Sequence, residues 1–257
     1  MLRAIIFGAS AFATTATATA QEINFIACPV YRDTNNGRKS GCWLTSDPAS
    51  GTRYDVTAAP TKADWNKAIL VEGFAALDEG NPCGATVMQP VRVSILELPC
   101  TRHMLPAEGY EGRRFSLPTR NVRPLYEDRK RPEKPYVEGR FTIPFDFDKT
   151  FITYQISDYY LDATSNYALD IQPALVEITG HAQTTPRTIS GETIAEPAEI
   201  AQERADVVRR ALIMRGVPEK NIRITAARPG AAPYVMEPFD DLKSPIERRV
   251  DIRITPQ

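Results

Sequence analysis

Val176-Glu177-Ile178-Thr179-Gly180-His181 decides the fold: apolar residues alternate at Val176 and Ile178, and the run stops at a glycine before a polar loop. This is a half-buried strand feeding a turn. Upstream, residues 155–171 have helical spacing, with Ile156, Tyr160, Ala163 and Tyr167 on one face. Before them, Phe141, Ile143, Phe145 and Phe147 alternate as a strand. Downstream, residues 197–215 form the strongest helix signal. Pro197 suits the first turn, Ala201, Ala205, Val208 and Leu212 make a stripe, and Gly216 closes it. Ile222-Arg223-Ile224 and Val250-Asp251-Ile252-Arg253-Ile254 supply two more strands. The order β-α-β-α-β-β predicts an α/β sandwich with its helices on one face.

Five motifs in this half resemble one family. Phe145-Asp146-Phe147-Asp148-Lys149 is similar to its opening strand motif, and Val176 to His181 to the strand before its ligand loop. Glu203-Arg204-Ala205, Leu212, Gly216-Val217-Pro218 and Ile222 resemble its second helix and exit. Arg248-Arg249-Val250-Asp251-Ile252 resembles its last strand. The motifs stand in the family's order, and residues 138–257 are thereby identified as resembling the OmpA-like peptidoglycan-binding domain.

The resemblance implies a non-enzymatic protein that grips the diaminopimelate of peptidoglycan stem peptides. Such a ligand offers an amine and a carboxylate, so it needs two opposite charges held apart. The implied ligand residues here are Arg204, Gln183, His181 and Arg248. The family's loop reads Gly-His-Thr-Asp, whereas this chain has Gly180-His181-Ala182-Gln183, so the carboxylate that meets the amine is replaced by an amide. Losing a charged partner costs ~1.5–3 kcal/mol, and weakened binding is expected. Pro197 and Glu247 stand where the family has Asn, and residues 184–196 lengthen the loop. Glu192 or Glu196 in that loop is a candidate replacement for the missing carboxylate. Arg204 reads either as the surviving anchor or as a helix-surface arginine. Arg248 and Arg249 are expected to point one inward and one outward. The alternative function is an interaction or structural module that kept the fold and lost the ligand.

All four cysteines, Cys28, Cys42, Cys83 and Cys100, lie in the first half. An even number in an exported chain reads as two disulfides, with three pairings open. No Cys-x-x-Cys occurs, and neither a metal site nor a cofactor is expected. Short strand-like runs at Ile23–Tyr31, from Cys42, at Thr52–Val56, at Ala68–Glu72 and at Val87–Leu98 predict a small all-β domain over residues 21–100. Residues 28–100 resemble small secreted disulfide-bonded OB-like β-barrels, which implies the pairs Cys42–Cys83 and Cys28–Cys100. Trp43, Tyr54 and Trp65 lie in no basic stripe and are read as core. The whole chain is thus expected to be α+β.

Residues 1–20 read as a signal peptide. Arg3 precedes a small apolar run, and Ala18-Thr19-Ala20 fits a cleavage site before Gln21. No later run is long and apolar enough for a transmembrane segment. Residues 101–137 form a connector rich in arginine and proline, with Pro106, Pro118, Pro124, Pro132 and Pro135 breaking any helix. A formal net charge of −1 gives no reason to expect nucleic acid. The expected place is the periplasm, in association with the outer membrane or the cell wall. Besides peptidoglycan, a second envelope protein could meet the first domain or the connector.

Overall fold

The computed structural model describes residues 21–34, 41–110, 112, 131–152, 156–228 and 230–257. The expected signal peptide and much of the connector lie outside the described residues.

The first half is all-β. Its strands are β1 (Ile23–Ala27), β2 (Val30–Arg32), β3 (Cys42–Ser46), β4 (Arg53–Asp55), β5 (Lys67–Ala75), β6 (Thr86–Pro99) and β7 (Met104–Leu105). They run in the order β1-β5-β6-β4-β3-β2-β7. Disulfides join Cys28 to Cys100 and Cys42 to Cys83. Closing loops of this length stabilises a small domain by about 3–4 kcal/mol each. Phe25, Tyr54, Val56, Ile69, Val71 and Val93 centre its core. Trp43 and Trp65 are only half-buried, stacked edge to face at 4.9 Å with Arg102 over Trp65. The expectation of both as core residues is corrected accordingly.

The second half has β8 (Gly139–Pro144), α1 (Ser157–Ile171), β9 (Leu175–Gly180), a hairpin of β10 (Arg187–Ile189) and β11 (Glu192–Ile194), α2 (Glu199–Met214), β12 (Ile222–Thr225) and β13 (Arg249–Thr255). The main sheet is ordered β12-β9-β13-β8; β12 is parallel to β9, and β13 is antiparallel to β9 and β8. The β-α-β-α-β-β order is present, and the lengthened loop folds into the hairpin. The core joins Ile143, Tyr160, Leu161, Ile178, Ala205, Val208, Leu212, Val250 and Ile252.

The buried face of α1 differs from the expected one. It carries Tyr160, Leu161, Thr164, Ser165, Ala168 and Ile171, while Ala163 and Tyr167 are only partly buried. Thr164 and Ser165 can sit inside because their hydroxyls donate to the carbonyls of Tyr160 and Leu161, at 2.7 and 2.6 Å. Two hydroxyls that look like surface residues in the sequence are therefore satisfied within the helix itself.

Both faces of the β1-β5-β6 ladder are covered. Phe25, Val71 and Val93 face their own core. On the other face, Ile26 and Leu70 join Phe147 and Ile189 of the second half in one apolar cluster. Ser94 accepts a hydrogen bond from the Phe147 amide at 2.9 Å. The neighbouring cross-strand row is polar: Asn24 and Arg92 flank Glu72. All three reach into the second half, to Ser244, the Pro238 carbonyl and Arg248 respectively.

Candidate functional site

Gly180 ends β9 against the first turn of α2. A Cβ there would lie 1.8 Å from the Ala201 carbonyl oxygen, so only glycine allows this approach. The contact brings the loop from His181 to Gln183 beneath the side chain of Arg204. Arg204 is fully buried, not a helix-surface arginine.

All five of its N–H donors are spent within the chain. Nε donates to the Lys149 carbonyl at 2.9 Å. Nη1 donates to the His181 carbonyl at 3.0 Å and to Glu196 Oε2 at 2.9 Å. Nη2 donates to the Asp146 carbonyl at 3.0 Å and to Glu196 Oε1 at 2.5 Å. Glu196 is itself locked: its oxygens accept from the amides of Asp148 and Gln183, at 2.8 and 2.7 Å. A carboxylate held by one bidentate arginine and two backbone amides is a strong anion site. Here the chain's own Glu196 fills it. Glu192, the other candidate in the loop, is exposed on β11.

Gln183 is also buried, and its Oε1 accepts from Arg248 Nη1 at 3.0 Å. Arg248 pairs in bidentate fashion with Glu72 of β5, through Nη1 at 3.1 Å and through Nη2. Arg187 Nη1 stands 3.8 Å from the same carboxylate. Burial works against the charge of Arg248, but Glu72 beside it wins and raises its pKa.

The expectation that Arg248 and Arg249 split between inside and outside is corrected: both are buried. Arg248, just before β13, and Arg249, its first residue, reach different partners. Arg249 donates to Asp251 Oδ2 at 2.9 Å, to the Ile246 carbonyl and to the Ala231 carbonyl. His181 turns away from Gln183; its Nε2 lies 3.0 Å from Asp251 Oδ2. Burial alone would raise the Asp251 carboxyl, yet His181 and Arg249 together hold it below the ordinary value. Asp146 and Asp148 lie beyond the end of β8, and Asp146 accepts from Thr61 of the first half at 2.6 Å.

The four expected ligand residues thus fall into three internal networks: Arg204 with Glu196, Gln183 with Arg248 and Glu72, and His181 with Asp251. Sequence reasoning missed Glu72 altogether. The only signal was a charged residue within an apolar strand run. Cys42, Cys83 and Asp55 also cluster, but both sulfurs are in a disulfide and offer no thiolate to a metal.

The strand, loop and helix that build these networks fall within one matched segment. Residues 144–236 match the OmpA family model. This part of the chain is OmpA-like, and the match includes Gln183, Glu196 and Arg204 but stops short of Arg248. Solved structures similar to this chain include the OmpA-like domain of FopA1 from Francisella tularensis, at 15% identity over 46% of this chain and 73% of that one, TM-score 0.33. The peptidoglycan-associated lipoprotein from Burkholderia pseudomallei is 20% identical over 45% of this chain and 90% of that one, TM-score 0.32. The type VI secretion cell wall anchor from Pseudomonas aeruginosa is 16% identical over 47% and 82%, TM-score 0.34. No curated protein matches the chain.

Proposed function

We propose that this chain is a non-enzymatic cell-envelope protein that associates with peptidoglycan through its OmpA-family domain, and that it does so weakly. The observation that carries this reading is the OmpA family match across β9, the loop and α2, where the family's ligand residues lie. The weakness follows from the site chemistry: the position of the amine-binding carboxylate is Gln183, and Arg204 has no donor left for a ligand. In this reading residues 1–20 are a signal peptide, the mature chain is periplasmic, and it lies at the outer membrane or the cell wall.

A second reading draws on the same saturation of Arg204. An anchor satisfied by five internal bonds suits a structural or interaction module that has given up the diaminopimelate ligand. Its partner would be another envelope protein, met through the first domain or the connector.

Co-sedimentation of the mature chain with purified sacculi separates the two. The peptidoglycan reading expects a small, salt-sensitive bound fraction. It also expects Gln183→Asp to tighten binding about tenfold, the equivalent of ~1.4 kcal/mol. If neither chain sediments with sacculi, the interaction-module reading replaces it.

A further inference from the structure

Glu72 meets the OmpA-family domain as a ligand would. It is fully buried, it projects from a different domain, and its two oxygens face a bidentate arginine, Arg248. Arg187 adds a second positive charge 3.8 Å away, and Gln183 Oε1 accepts from the same Arg248 Nη1 that donates to Glu72. The side-chain nitrogen of Gln183 and Nε of Arg248 are buried donors with no hydrogen-bond partner among the described residues. The pocket therefore offers more donors than Glu72 alone uses. A buried, donor-rich, positively charged pocket is chemistry for a carboxylate.

We propose that Arg248, Gln183 and Arg187 form a carboxylate-binding site that Glu72 of the β-domain occupies in cis, and that an external carboxylate-bearing peptide competes with it. The proposal relies on the peptidoglycan reading only for the source of that peptide. The geometry of the cover supports an occupant that can leave. The row Asn24, Glu72 and Arg92 belongs to one strand ladder, so in this proposal it leaves as a unit. Besides the Glu72–Arg248 pair, the polar contacts across this boundary include Asn24 Nδ2 to Ser244 Oγ at 2.8 Å, the Ile26 amide to Ser190 Oγ at 3.0 Å, and the Lys243 and Ser244 amides to the Glu22 carboxylate. Apparent affinity for an outside ligand is then the intrinsic affinity reduced by the fraction of molecules with the cover off.

The test uses the full mature chain and Glu72→Gln. Two soluble probes are titrated by calorimetry: a stem tripeptide ending in diaminopimelate, and acetyl-diglutamate. Hydrogen exchange at the amides of Ile26 and Phe147, both bonded across the boundary, reports lifting of the cover. The expected result is faster exchange at both amides in Glu72→Gln and at least about tenfold tighter binding of a probe. Each probe should also speed exchange at the same amides in the unmutated chain. Thr61→Val, which removes one boundary bond to Asp146, should shift both readouts in the same direction by less, and it serves if Glu72→Gln does not fold. Tightening for acetyl-diglutamate alone keeps the cis site and removes the wall peptide as its ligand. Unchanged exchange, or faster exchange with no tightening for either probe, overturns the proposal.

Discussion

At the scale of single residues, the molecule is governed by arginines that lie inside it. Arg204 and Glu196 are both buried, and each completes the other's hydrogen bonds. Taking two charges out of water is costly, and the pair repays this only while every donor and acceptor is matched. Arg204→Ala should therefore destabilise the OmpA-like domain by about 3–5 kcal/mol, because it strands the Glu196 carboxylate. Denaturant unfolding of the mature chain measures this, and a change under about 1 kcal/mol would show that Glu196 finds water instead. Asp251 makes a second residue-scale prediction. Its carboxyl titrates lower in the folded chain than in the unfolded one, so it contributes stability above the unfolded value, and that contribution fades as pH falls through the folded value. Asp251→Asn should lower the unfolding midpoint at neutral pH. The gap to the unmutated chain should narrow on acidification below about pH 4, the unfolded carboxyl's range. A gap that stays constant with pH would mean the loss comes from packing rather than charge.

At the scale of elements, the approach of β9 to α2 sets the position of the whole loop. Gly180 has no room for a side chain beside the Ala201 carbonyl. Gly180→Ala must push the first turn of α2 outward, which costs about 1–3 kcal/mol in a packed core. The displacement also draws Arg204 off the Lys149 and Asp146 carbonyls. The expected signature is a lowered unfolding midpoint with faster exchange at the Asp148 and Gln183 amides, both of which donate to Glu196. Stability close to that of the unmutated chain would mean that α2 shifts freely. The spacing of α2 was legible in the sequence from Ala205, Val208 and Leu212, all buried. The face of α1 was not, because Thr164 and Ser165 carry the polarity of surface residues while their hydroxyls are satisfied within the helix.

At the scale of the whole molecule, the two halves share structure. Leu70 and Ile26 of the β-domain pack with Phe147 and Ile189 of the OmpA-like domain, beside the Glu72–Arg248 pair. Residues 138–257 alone would uncover that apolar patch and leave Arg248 without its carboxylate. The isolated segment is accordingly expected to unfold at lower denaturant than the same domain within the mature chain. Equal midpoints, followed by a probe confined to the C-terminal half, would show that the boundary adds no stability.

The sequence by itself determined what depends on neighbours along the chain. Alternation marked β9 and β13, helical spacing marked α2, and four cysteines announced two disulfides in an all-β first half. The order of short motifs pointed to the OmpA family. These signals are local because a strand or helix buries one face at a fixed period. Tertiary structure alone decided which charges meet. Glu72 and Arg248 lie 176 positions apart, and nothing in the sequence pairs one with the other. A buried ion pair has no period, since its partner arrives from another element and only the assembled fold excludes water from both. For that reason the sequence could name Arg204, Gln183, His181 and Arg248, but only the folded chain reveals that each of them already has a partner.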